Sequence, residues 1–137
     1  MEPYALPAGD GWTYNDGIDF TVKAGELRST NGAAVIEYVT RQGEEPPDHT
    51  HPTEDEMFYV LEGELTFRCG ERSFDVQPGG FVFLPHGVEH GYTMRSSGPV
   101  RLLAVTAPPR DRTGSWGGFV AGFEADGQQV GEPPAVG

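Results

Sequence analysis

Two residue types are nearly missing from this chain: it holds a single cysteine, Cys69, and a single lysine, Lys23. One thiol cannot close an intrachain disulfide or build a cysteine-based zinc site. Its isolation suits a reducing compartment, so a cytoplasmic location is expected. Positive charge is scarce altogether. Nine basic residues stand against 21 acidic ones, a formal net charge of −12, and no cluster of Lys and Arg interrupts it. Such a field repels nucleic acid and anionic membrane surfaces, and neither is an expected partner. No stretch is long and apolar enough to span a bilayer. The start, Met1-Glu2-Pro3-Tyr4, lacks the basic residues and apolar run that a signal peptide needs. Helical periodicity is missing too. Twenty glycines and 12 prolines among 137 residues disfavour helix interiors and point to turns between short strands.

What is present is strand. The length is that of one domain, and 36% hydrophobic residues supply one core. Residues 18 to 24 alternate as a half-buried strand does, and residues 33 to 40 are rich in β-formers. After a polar loop with Gly43, Pro46 and Pro47, residues 56 to 62 and 64 to 69 read as strand, tight turn at Gly63, strand. Ser73 to Val76, Phe81 to Leu84, residues 88 to 94 and residues 100 to 106 follow as further strands. Gly70-Glu71, Pro78-Gly79-Gly80 and Pro85-His86-Gly87 separate them, and Pro108-Pro109 stops the last. Many short strands at close spacing predict an all-β antiparallel barrel or sandwich. Residues 1 to 17, with Trp12 and Tyr14, read as a turn-rich N-terminal extension. Trp116, Phe119 and Phe123 suit a short C-terminal helix or lid, weakened by Gly117 and Gly118. Residues 124 to 137 read as a loose tail.

The chain has four histidines, and two of them stand as His49-Thr50-His51. In a strand, alternate side chains share a face, with Cα atoms roughly 6 to 7 Å apart. Rings rooted there can tilt onto one ion at metal–nitrogen bonds of about 2.0 to 2.2 Å. Glu56 opens the next strand with the parity of Phe58 and Val60, so all three face the interior, and a buried carboxylate needs a partner. Glu54 and Asp55 are competing carboxylates, expected in the turn and facing water. His90 leads a strand whose inward set is His90, Tyr92 and Met94. His86, beside Pro85 in a turn, is expected to be exposed.

These two stretches resemble the cupin family. The first family motif is matched by Gly43, His49, His51, Glu56 and Gly63, with every interval satisfied. The second is matched by Gly79, Pro85, Gly87 and His90, while Met94 stands where the motif has Asn. The motifs cover residues 43–63 and 79–94. Within the family the chain looks most like small single-domain members similar to quercetin 2,3-dioxygenase. The resemblance implies a cupin barrel (a double-stranded β-helix, jelly-roll-like) over 18–107, with irregular extensions at 1–17 and 108–137. It implies one divalent transition metal (Fe, Mn, Ni, Zn, Cu or Co) held by His49, His51, Glu56 and His90.

Phe58, Tyr92 and Met94 are the expected substrate-pocket residues, although ordinary core packing is the plainer reading of such side chains and the favoured one for Val60. Cys69 is most simply a packing residue. Three functions remain open. The leading one is a metal-dependent oxygenase of dioxygenase type that acts on a small aromatic or enol substrate, with Glu56 as the catalytic proton acceptor. The others are a redox-neutral isomerase, lyase or polyketide-type cyclase, and a non-enzymatic small-ligand binder. A homodimer is expected, because barrel-edge strands gain from being covered.

Overall fold

The structure, a computed structural model, describes residues 1–28, 32–107 and 119–134. Among the described residues, ten strands and one α-helix follow in order: β1 Trp12–Asp16, β2 Ile18–Ala24, β3 Ala34–Thr40, β4 Asp55–Glu62, β5 Leu65–Cys69, β6 Arg72–Val76, β7 Phe81–Leu84, β8 His90–Met94, β9 Val100–Ala107, α1 Phe119–Asp126 and β10 Gln128–Gly131, with a single 3-10 turn at Glu26–Arg28. They form two antiparallel sheets. One runs β10-β1-β2-β3-β9-β4-β7, the other β6-β5-β8. This is the all-β architecture that the alternating patterns predict. The described residues contain no helix long and apolar enough to cross a membrane.

Alternation decides which side chains go inside. Along β9, Val100, Leu102, Ala104 and Thr106 are buried while their neighbours face out. Along β4, Glu56, Phe58 and Val60 are buried. Between the sheets, the rings of Phe58, Phe67 and Tyr92 meet at centroid separations of 5.2 to 6.0 Å. Burial of each such ring contributes about 2 kcal/mol. One end of the barrel is closed by Val60, Leu65, Met94, Val100 and Leu102, none more than 2% exposed. The β4–β5 turn seals that end. Gly63 has φ +87°, and a Cβ there would stand 2.6 Å from Val100 Cγ2, so the turn needs glycine for its conformation and its fit. Cys69 is half-buried and packs against the core.

Two segments differ from the sequence expectation. Trp12–Asp16, read as part of a turn-rich end, is a strand that pairs with β2 through a hairpin turning at Gly17. Gln128–Gly131, read as part of a loose tail, pairs with β1. Trp12, Thr13 and Tyr14 are β-formers, and β1 closes a hairpin with the strand that directly follows it. Gln128–Gly131 has little β composition and forms because the edge of β1, far away in the chain, satisfies its backbone groups. Trp116 lies outside the described residues. The helix begins at Phe119, after the Gly117-Gly118 pair, and Phe123 is buried on it. It is tied down from outside: Arg28 lies over the Trp12 ring at 4.1 Å and forms a 3.0 Å ion pair with Glu124.

Candidate metal centre

Backbone pairing brings the two motif stretches together. His49 and His90 exchange both hydrogen bonds, N–H to O at 2.9 and 2.8 Å, as an isolated antiparallel bridge. The turn before β8 is pinned as well: the Gly87 N–H donates to the His51 carbonyl at 2.8 Å. Gly87 adopts φ +78°, a conformation that β-carbon-bearing residues resist. His49-Thr50-His51 is therefore not a regular strand, contrary to the expected geometry. Pro47 and Pro52 flank it and lack the N–H that a ladder needs. The two rings nonetheless face one point, with centroids 4.9 Å apart. His90 stands 4.7 Å from His49 and 5.3 Å from His51. One ligating atom from each of His49, His51, Glu56 and His90 lies within 4.8 Å of the others.

The polar atoms of this cluster point at each other without bonding. His51 Nε2 is 3.2 Å from Glu56 Oε2 without the direction of a hydrogen bond, and His90 Nε2 is 3.6 Å from Glu56 Oε1, beyond hydrogen-bond length. Among the described residues, the buried side-chain nitrogen and oxygen atoms without a partner are His51 Nε2, Glu56 Oε2, both ring nitrogens of His90, and Thr106 Oγ1. Thr106 is the cross-strand partner of Glu56. Buried polar atoms are normally paired, so orphans of His51, Glu56 and His90 converging from the His51 segment, β4 and β8 fit a site for a divalent cation. The remote ring nitrogens support this. His49 Nδ1 lies 2.9 Å from the Pro47 carbonyl, which sets the tautomer that leaves Nε2 free. His51 Nδ1 faces Glu54 Oε2 at 3.8 Å.

Glu54 reverses its sequence expectation. It is 2% exposed, not solvated in a turn, because the chain leaving Pro52 folds under His51 before β4 begins. Asp55 does sit at the surface, where its carboxylate accepts from the His86 backbone N–H at 3.0 Å and lies 2.9 Å from Nδ1. His86 is exposed, with 58% of its side chain open.

Electrostatics follow the packing. Burial pushes the Glu56 carboxyl up, but the neighbouring rings of His51 and His90 outweigh it and hold it at about 2. The same carboxylate raises His51 above its ordinary value against the opposing effect of burial. Asp48 forms a 2.7 Å ion pair with Arg68 beside the cluster, and Arg68 keeps its carboxyl below the usual range. This pair lies across Gly91, where a Cβ would collide with the Asp48 carboxylate.

Above the cluster opens a cavity of about 550 Å³. Ile18, Phe20, Phe58 and Phe123 supply apolar lining, and Asp16 and Glu44 add carboxylates to it. Tyr38 and Tyr92 face it with their hydroxyls 3.0 Å apart. Burial, and then each other's proximity, raises Tyr38 well above its ordinary value. Burial brings Tyr92 to about 12. Both phenols are thus protonated near neutrality. Phe58 and Tyr92, two of the three residues expected in a substrate pocket, line the cavity. Met94 is not among the lining residues: four residues beyond His90, roughly 13 Å along a strand, it lies opposite Leu65 in the closed end. Sequence reading missed Tyr38 and Phe20, and gave Phe123 only as a residue of a short C-terminal helix or lid. The alternation of β3 carried a signal for Tyr38, which shares parity with buried Ile36.

A cupin domain model matches residues 35–106. The chain is 28% identical over 107 residues to a quercetin 2,3-dioxygenase of Bacillus subtilis, a match covering 77% of this chain and 32% of that enzyme. The chain thus spans about a third of that relative's length. A Thermus thermophilus structure superposes with a TM-score of 0.55 at 31% identity, covering 70% of this chain and 89% of that one. A predicted oxalate decarboxylase of Thermotoga maritima gives a TM-score of 0.66 at 17% identity, covering 76% and 98%. The second of these structures is a likeness of fold alone.

Proposed function

The chain belongs to the cupin domain family, and from that premise we propose that it is a metal-dependent oxygenase acting on a small aromatic or enol-type substrate. The observation that carries this reading is the set of unpartnered His and Glu atoms at the base of a largely apolar cavity. His49, His51, His90 and Glu56 would hold the ion, a nitrogen-rich donor set with one carboxylate that suits Fe, Mn, Ni, Zn, Cu or Co. When bound, the ion supplies a Lewis-acid centre and, if redox-active, a means of engaging dioxygen. The similarity to a quercetin 2,3-dioxygenase over 107 residues supports the same class.

The chain's own residues divide the remaining work. Phe20, Phe58 and Phe123 receive a flat apolar body and exclude water from it. The protonated hydroxyls of Tyr38 and Tyr92 orient a substrate carbonyl or hydroxyl. Glu56 Oε2, free of any hydrogen bond, accepts the proton that a substrate hydroxyl loses. The single thiol, Cys69, agrees with a reducing compartment.

Tyr38 and Tyr92 also favour a second reading, a redox-neutral isomerase, lyase or cyclase, because two phenol donors at one point stabilise enolate charge. Assay of the metal-loaded protein with and without dioxygen separates the two. The oxygenase reading expects turnover to stop under strict anaerobiosis and to return on readmission of air. Anaerobic turnover at an undiminished rate removes it in favour of the second, and tight ligand binding with no product in either atmosphere identifies a binding module.

A further inference from the structure

The segment that carries His49 and His51 belongs to neither sheet, yet it holds two of the four candidate donors close to His90. What fastens it is the free edge of β8. In the three-stranded sheet β8 pairs with β5 on one side only. On the other side the His90 backbone is taken by the bridge to His49. Four residues further along the same edge, side chains stand in for a strand. Glu45 Oε2 accepts from the Met94 N–H at 3.1 Å, and Gln42 Nε2 donates to the Met94 carbonyl at 3.1 Å.

A third contact grips the segment from the opposite face. Arg68 and Thr93 alternate with the inward side chains of Phe67, Tyr92 and Met94, so they lie on the outer face of the small sheet. The Arg68 guanidinium donates to Thr93 Oγ1 and to Asp48 Oδ1, each at 2.7 Å. Asp48 therefore reaches around the β8 edge and lies over Gly91, where a Cβ would meet both its carboxylate and the guanidinium. Successive residues thus clasp β8 from two sides: His49 turns toward the donor cluster and Asp48 closes on the exterior. The planar fork of Arg68 indexes Asp48 to Thr93, and so to the strand that bears His90. Both charged side chains are partly open to water, where one ion pair is worth little to overall stability. The contact acts on position more than on folding.

We infer that Arg68 and Asp48 form a latch that holds the His49–His51 segment against β8 and thereby slows the escape of the ion. The second half rests on the metal centre described above and not on the oxygenase reading. Arg68→Gln should release Zn²⁺ to an excess of chelator about ten times faster than wild type, in the range of other outer partners of a metal centre. Arg68→Lys should recover only part of the difference, because it keeps the charge and loses the fork. Gly91→Ala keeps both charges but displaces the carboxylate, and should shift the release rate in the same direction as Arg68→Gln. Amide hydrogen exchange on metal-free protein reads the latch without any ion. The His49 and His90 amides should exchange faster in Arg68→Gln while those of Leu102 and Ala104 in β9 keep their wild-type rates. Wild-type release rates in both Arg68→Gln and Gly91→Ala overturn the proposal. So does faster exchange that extends equally to β9, which would mean a general loss of stability. A wild type that retains no Zn²⁺ removes the metal centre, and a response confined to the two bridge amides would then still support the latch.

Discussion

The two ends of the barrel are built on opposite rules. At the end near the Gly63 turn, Val60, Leu65, Met94, Val100 and Leu102 pack with almost no exposure. At the other end gather His51 Nε2, Glu56 Oε2, both nitrogens of His90 and Thr106 Oγ1, all buried and unpartnered. The same strands, β4, β8 and β9, run through both ends. The difference is therefore one of position along a strand and not of sheet architecture. A buried polar atom without a partner costs about 1 to 3 kcal/mol. The closed end supplies the packing against which that cost is tolerated, and local frustration marks a functional site.

The sharpest way to break this comparison is to truncate one side chain at each end. His90→Ala should lower metal affinity by more than the ~10- to 100-fold that outer supporting partners are worth. It should leave the stability of metal-free protein unchanged or higher, because the substitution removes two unpaired buried nitrogens. Leu102→Ala should do the converse: about 3 kcal/mol of stability lost to a cavity, with metal affinity nearly intact. Chelator competition and urea unfolding on both variants check the pair, and equal losses of stability would erase the distinction between the ends.

A smaller effect is expected behind His51. Glu54→Gln removes the charge facing Nδ1 while keeping the volume. Metal affinity should fall about tenfold, as for other carboxylates that support a ligating imidazole. An unchanged affinity would leave Glu54 no part in the centre.

The smallest effect concerns the boundary between the two regions, the Tyr38–Tyr92 hydroxyl pair. Tyr38→Phe should cost about 1 kcal/mol at neutral pH, the value of one hydrogen bond. The pH dependence has a definite sign. Both phenols are raised in the folded protein, Tyr92 from 10.0 to about 12. Their contribution is complete below pH 10 and is lost as pH climbs toward 12. Denaturation between pH 9 and 12 should show wild-type stability falling through this window, and Tyr38→Phe falling less steeply.

Legibility in the sequence followed the range of the interactions. Strands β2 to β9 could be read because alternation and turn residues are local signals, and Gly63 and Gly87 announce their turns. β10 could not, since it depends on an edge offered by a distant segment, and β1 was passed over although it pairs with the strand that directly follows it. The four candidate donors were legible as residue types at a recognisable spacing. Glu54 was misplaced because a carboxylate's burial depends on what folds over it. Met94 was misassigned because parity tells which face a residue takes, not how deep it lies.

The amino-acid sequence by itself settled which side chains alternate inward and which donors are available, because backbone geometry makes both properties of near neighbours. Tertiary structure alone decided that His49 and His90 meet across a backbone bridge and that Phe20, Tyr38 and Phe123 close the cavity. Those outcomes come from strands far apart in the chain, and no local pattern encodes the distance between them.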